Sequence, residues 1–290
     1  MANTLNHDEF AQMDAFDILR YSLYAGAIAA DPTAYGRVIS TQPLRTAVGT
    51  DANVLSGTRY IEVPLYSAFT VHTADCSTET TPNDIVRTNK EIALETRYVH
   101  FELCTDELIG FSPSEFQDLL NKVQVALLNQ VDLDAVTVML ADAGGTAYGT
   151  GNTPITTPAT FAPLHQAIAV ANGFKASPND PIIVYSSHKL FAEVQSVTGA
   201  DVRYVGGLQT LQNVSGATFV LSSNIAAVAT TTTNYVYPLS ALGIGFPSNW
   251  REAAQVIVEP NAGKMSFEWG IGLIYGTTVL NPLAVQTFLN

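Results

Sequence analysis

Few residues in this chain have the type and spacing that chemistry requires. His72 and Cys76 lie four positions apart in a polar stretch, close enough to pair an imidazole with a thiol, but nothing adjacent would hold that geometry. Ser186-Ser187-His188-Lys189 has the Ser-x-x-Lys spacing in which a lysine activates a serine, yet the companion motifs Ser-Asp-Asn and Lys-Thr-Gly are absent. A serine capping a helix after a strand accounts for the same residues. Asp132 and Asp134 stand two apart on a helical pattern, so their carboxylates point in different directions and make a poor metal pair. His7, His72, His100, His165 and His188 show no His-x-x-x-His spacing. The glycine-rich stretch Gly144 to Gly151 lacks the Gly-Lys-Ser/Thr ending of a phosphate loop, and neither Gly-x-Ser-x-Gly nor Gly-x-Gly-x-x-Gly occurs. Asn213-Val214-Ser215 would accept a glycan only in a secreted chain. The expectation is no catalytic residue, no cofactor, no metal and no enzymatic activity.

The elements that would position such residues are easier to read. Ser112-Pro113-Ser114-Glu115 combines a capping serine, a proline at the first helical position and a glutamate at the third. Phe116, Leu119, Leu120, Val123, Leu127, Val131, Ala135 and Val138 follow at spacings of three and four, and Gly144-Gly145 ends the pattern. The spacing predicts a helix over 112–143, a rod of roughly 45 Å at 1.5 Å per residue.

Residues 58–104 read as a long β-hairpin. Ile61, Val63, Leu65, Phe69 and Val71 share one face by period two, and Ile92 and Leu94 answer them on the return strand. Val99, Phe101 and Leu103 then fall in the opposite phase. The flip near Tyr98 predicts a bulge, or a strand that passes from one environment into another. Between the strands, Thr73 to Lys90 is a long polar tip.

Before the hairpin, residues 1–57 form an arm with one weak helical pattern, Ala15 to Ala30. Residues 146–160 read as a linker. An α/β portion follows: a helix over 163–172 stopped by Gly173, the strand 182–185, a short helix carrying Leu190, Phe191 and Val194, and the strand 219–221. Thr230 to Thr233 reads as an exposed turn. Met265, Phe267, Trp269, Ile271, Leu273, Tyr275, Thr277 and Val279 alternate without a break and predict a long strand after the turn at Pro260 to Gly263.

Composition narrows the function. The 290 residues carry a net charge of −13, which disfavours a nucleic-acid binder working through a basic surface. Two cysteines, Cys76 and Cys104, exclude a disulfide-stapled scaffold and suit a reducing compartment. Met1 to Phe10 has no basic or apolar signal region, so no signal peptide is expected. Only 13% of residues are charged. Val205 to Trp250 and Gly270 to Asn290 contain no Asp, Glu, Lys or Arg at all, which suggests coverage by something other than water. The second run is nearly long enough to span a bilayer, but Asn281, Pro282 and Gln286 interrupt it, and no membrane span is expected.

The order of these pieces resembles the major capsid proteins of tailed double-stranded DNA phages, the Hong Kong 97-type fold, over nearly the whole chain. Gly57-Thr58-Arg59-Tyr60-Ile61-Glu62-Val63-Pro64 looks like the opening of that family's extended loop, and Glu91 to Leu103 like its return strand. Gln130-Val131-Asp132 looks like a point on its spine helix. Ile182 to Leu190 resembles the axial domain, Gly207 to Asn224 its glycine, strand, Ser-Asn segment, and Tyr275 to Pro282 the ending of the peripheral domain.

The resemblance implies an α+β fold with an N-terminal arm (1–57), an extended β-hairpin loop (58–104), a peripheral domain with the spine helix (105–160), an axial domain (161–250) and the long peripheral strand (251–290). It implies hexamers and pentamers of one chain, closed into an icosahedral virion shell around DNA that is held without sequence-specific contacts, and assembled in a bacterial host's cytoplasm. Portal, scaffolding and decoration proteins would be separate partners, since the short arm leaves no room for a built-in scaffolding region. Arg59, Ile61, Val63, Arg87, Lys90 and Arg97 would touch a neighbouring subunit. Lys90 is the lysine best placed for the Lys–Asn cross-links of some relatives, and without a matching motif no cross-link is expected. Two alternatives stay open: an encapsulin-type bacterial nanocompartment, and a secreted β-rich surface protein.

Overall fold

A computed structural model of the chain describes residue 20 and residues 45–49, 59–66, 87–106, 112–151, 154–205, 208–222, 224–225, 233–247 and 253–290. The expected helix over 15–30, apart from Arg20, and the hairpin tip over 73–86 lie outside the described residues, as do His72 and Cys76.

Ser112 opens α1 (Pro113–Asp142) with the reciprocal cap that its sequence predicts. Its hydroxyl accepts from the Glu115 N–H at 3.3 Å, and the Glu115 carboxylate accepts from the Ser112 N–H at 2.8 Å. That arrangement holds the Glu115 carboxyl below its usual range. At the other end, the N–H groups of Gly144 and Gly145 donate to Pro282 and Val285, so the helix stop is also a tie to the C-terminal segment.

One sheet is organised around β12 (Ser266–Val279). Residues 266–273 of this strand lie between β11 (Ala254–Asn261) and β3 (Arg87–Cys104), and residues 276–279 pair with β10 (Leu242–Pro247). β1 (Arg45–Gly49) adds a parallel strand outside β10, and β2 (Arg59–Tyr66) pairs with the first half of β3. Arg20 reaches the edge of this sheet, donating to the Val256 carbonyl at 3.0 Å.

The phase flip near Tyr98 is thereby explained. β3 runs unbroken, but residues 87–94 pair with β2 and residues 95–104 pair with β12 in continuous register. Ile92 and Leu94 bury on one face; Leu103 is buried and Phe101 half-buried on the other. The strand changes environment, and no bulge is present in it.

The second sheet has the order β4 (Ala147–Tyr148), β13 (Gln286–Leu289), β9 (Thr233–Pro238), β5 (Ile182–Ser186), β8 (Ala217–Leu221), β7 (Leu208–Val214), β6 (Val202–Val205). α2 (Ala162–Asn172) and α3 (His188–Thr198) cover one face of it, packing Leu164, Ile168, Leu190 and Phe191 on Ile182, Val184, Phe219 and Val236. The other face meets α1. Ile183, Tyr185, Tyr235 and Tyr237 join Val131, Ala135 and Met139 of the helix and Ile271, Leu273 and Tyr275 of β12 in one core. α1 is long and apolar enough to cross a membrane by length and composition, but its apolar side chains are packed between two sheets.

Several expectations are corrected here. Thr233 starts β9 and is buried, so it is not part of an exposed turn. The strands β9 and β10 are buried throughout and only Leu239 and Ser240 of the 3-10 turn between them are half-buried, which makes this part of the charge-free run interior; burial within the chain accounts for its lack of charge. Residues 270–290 are β12, a short 3-10 turn and β13, with no helix long enough to span a bilayer. The described part of 146–160 is tied to the C-terminal strand at its start, though much of it is exposed: β4 pairs with β13, Ile155 is 2% exposed, and a Cβ on Gly149 would strike the Leu289 carbonyl oxygen. β10 joins the β12 sheet and β13 joins the sheet of β5, so each sheet draws strands from distant parts of the chain.

Candidate functional site

The hairpin carries all six predicted contact residues, and the structure sorts them. Ile61 and Val63 are each 3% exposed. Ile61 packs with Leu94 and Ile274, and Val63 with Ile92 and Leu280. Period two places both on the face that the chain itself covers, so these two side chains have almost no surface left to offer a neighbour. Arg97 is also engaged within the chain, donating to Asp134 at 3.0 Å and pairing with Glu95 at 2.9 Å. Arg87 is exposed and donates to Asn89 at 3.2 Å, while Asn89 donates to Glu62 at 2.6 Å. Lys90, half-exposed, stands opposite Val63 in the ladder, and Arg59 stands opposite Leu94. Arg87 is thus the predicted residue that faces outward with no carboxylate partner among the described residues, while Lys90 lies half-exposed on the same face as Val63 and Ile92.

Asp132 and Asp134 do diverge, and each does a different structural task. Asp132 is 1% exposed and accepts from Ser222 Oγ at 3.0 Å and from Asn224 Nδ2. This fastens α1 to the loop after β8. Asp134 turns toward the other sheet, accepting from Arg97, from Gln130 Nε2 at 2.8 Å and from Tyr275 Oη at 2.7 Å. Burial first, and then the Asp134 carboxylate, push the Tyr275 hydroxyl well above its usual pKa, so it stays a donor. The Arg97–Asp134–Tyr275 cluster went unread in the sequence because its members are 37 and 141 residues apart.

The face of the β12 sheet turned away from α1 carries a shallow trough of about 300 Å³. Its floor is Gly270 and Gly272, and its walls include Tyr98 and His100 on one side and Ile257 on the other. Tyr98 is 69% and Ile257 53% exposed. His100 lies 3.5 Å from Glu268 at the rim.

The candidate chemical motifs resolve into structure. Ser187 caps α3, accepting from the Leu190 N–H at 3.3 Å, and Ser186 donates to the Val220 carbonyl at 3.0 Å, so the Ser-x-x-Lys match is a helix start. Among the described residues, no group of three or more His, Cys, Asp and Glu side chains is arranged to hold a metal ion.

No protein-family profile matches the chain, and no curated protein matches it. Solved structures do. The chain is similar to a structure from Gordonia phage Cozz, with a TM-score of 0.61 and 12% identity over 88% of this chain and 87% of that one. It is similar to the capsid structure of the cyanophage P-SCSP1u, with a TM-score of 0.59 and 15% identity over 100% and 96% of the two chains. It is also similar to a virus-like particle from Pyrococcus furiosus, with a TM-score of 0.57 and 11% identity over 95% and 100%. The chain has the mixed helix-and-sheet fold of phage capsid structures.

Proposed function

We propose that this chain is the major capsid protein of a tailed phage, forming hexamers and pentamers that close into an icosahedral shell around double-stranded DNA. The likeness over the full length of the chain to a cyanophage capsid carries the reading. Its work is assembly rather than catalysis. The hairpin supports this: a β2–β3 unit whose one face is fastened inside the chain and whose other face presents the exposed Arg87 outward is built to reach a second copy. Interface burial at about 25 cal/mol per Å² of apolar area supplies the drive, less the cost of ordering what docks. The net charge of −13 keeps the wall from gripping a packaged polyanion. In this reading the protein resides in the virion, having assembled in the host cytoplasm, and portal and scaffolding proteins are separate chains.

A second reading, a bacterial nanocompartment shell of the encapsulin type, is favoured by the likeness to the Pyrococcus particle. The two differ in contents. Particles purified from their natural source and treated with nuclease should release protected double-stranded DNA on denaturation. Particles that instead hold a protein cargo and no DNA establish the nanocompartment.

A further inference from the structure

His165 on α2 is exposed, yet it is held from two sides. Its Nε2 lies 2.6 Å from Ser215 Oγ, and its ring meets the Phe161 ring edge-on at 4.5 Å between centroids. Ser215 and Gly216 form the tight turn between β7 and β8, at φ 56° and 78°. Fixing an exposed side chain costs conformational entropy, and a polar group fixed in advance binds with less of that cost remaining.

A concavity of about 330 Å³ opens on one side of this pair, lined by His165, Asn172, Lys175, Ser215 and Gly216 among its polar contributors. Its polar lining is made of groups that can donate: an imidazole, a primary amide, a half-buried ammonium, a hydroxyl and a backbone N–H. No carboxylate lines it, in a chain where Asp and Glu outnumber Lys and Arg by 26 to 13. On the other side of the pair, Phe161, Val197 and Val214 contribute to a second, largely apolar hollow that His165 also lines. The mutual bond uses one proton of the His165–Ser215 pair and leaves the other free to donate, and that donor beside a lysine and an amide, without an acid, is the complement of a compact oxyanion.

We propose that this pocket binds a phosphate-class anion, with Lys175 supplying charge, the held His165–Ser215 pair an oriented donor and Asn172 a second donor. The site lies at the end of the β5 sheet, away from the hairpin, and does not depend on the assembly reading. The phosphate could be a free ion or a phosphodiester of nucleic acid.

The test is a titration of the purified full-length protein with inorganic phosphate, chloride holding the ionic strength constant, with the thermal midpoint as readout. Wild type should show a saturable rise. K175A and H165F should each weaken the apparent affinity about ten-fold or more, as expected for loss of a charged or oriented donor. K122A, an exposed lysine on α1, should respond like wild type. Unchanged midpoints in chloride alone establish that the variants fold. A short DNA duplex then separates the sources: duplex affinity that falls in K175A but not in K122A assigns the site to nucleic-acid phosphate, and duplex affinity equal in both, beside a lost phosphate response in K175A, assigns it to the free ion. A phosphate response no greater than that to chloride, or one preserved in K175A and H165F, overturns the proposal.

Discussion

Asp132 on the long helix accepts a hydrogen bond from Ser222, ninety residues further along the chain, at 3.0 Å and in full burial. Asn224 donates to the same carboxylate. The contact joins the helix to the sheet of β5, while Asp134, two residues on, joins it to the sheet of β12. Helix and both sheets are locked by two acids with one residue between them, Asp132 and Asp134.

Removing the Asp132 acceptor should therefore loosen one side of the helix. D132A is expected to destabilise the subunit by about 2 kcal/mol or more, because buried donors lose a charged partner. S222A should cost about 1 kcal/mol, and the double variant should show a coupling of at least ~0.5 kcal/mol in chemical denaturation. Additive costs would mean that the two groups do not interact.

Two buried tyrosines make an opposed pair. Tyr275 donates to Asp134, so Y275F should destabilise by ~1–3 kcal/mol. The Tyr237 hydroxyl is buried with no hydrogen-bond partner among the described residues, and burial first, with the nearby Asp132 charge, holds its pKa well above the ordinary value. Y237F removes that orphan and should be neutral or stabilising in the same denaturation assay. A large loss from Y237F would reveal a partner for that hydroxyl.

Glycines along β12 report its register. A Cβ at Gly276 would land on the Ala93 carbonyl oxygen and 2.9 Å from Ile92 Cγ2, so G276A should cost about 3 kcal/mol or prevent folding. A Cβ at Gly270 would find its nearest neighbour, Ile257 Cβ, at 3.9 Å, and G270A should stay within ~1 kcal/mol of wild type. Equal effects in a thermal melt would contradict the pairing of β3 with β12.

The hairpin residues separate folding from assembly. I61A removes a buried side chain and should cost about 2–5 kcal/mol of subunit stability. R87E changes an outward-facing side chain, so subunit stability should hold within ~0.5 kcal/mol while the yield of assembled particles falls. Unaltered assembly would remove Arg87 from the contact set.

Legibility in the sequence followed the physics of each element. α1 was readable to within a residue or two because a capping box, a period near 3.6 and a glycine stop agree. β12 was readable because one face is covered by α1 and the other is partly open, which leaves alternation in the sequence. β9 and β10 were not, since both of their faces are buried and no period survives. The same burial produced a charge-free run that looks from sequence like subunit interface. Ile61 and Val63 were correctly placed on one face, but nothing local says whether that face meets the chain's own β12 region or another molecule. The Asp134 cluster and the Ser215–His165 pair depend on contacts across 141 and 50 residues, which spacing does not encode.

The central claim is that this chain builds shells, and electron microscopy of the purified protein tests it most directly. Across a range of salt, pH and protein concentration, the account predicts closed, regular particles tens of nanometres across, assembled from this chain. A folded, monodisperse monomer under every one of those conditions would contradict it.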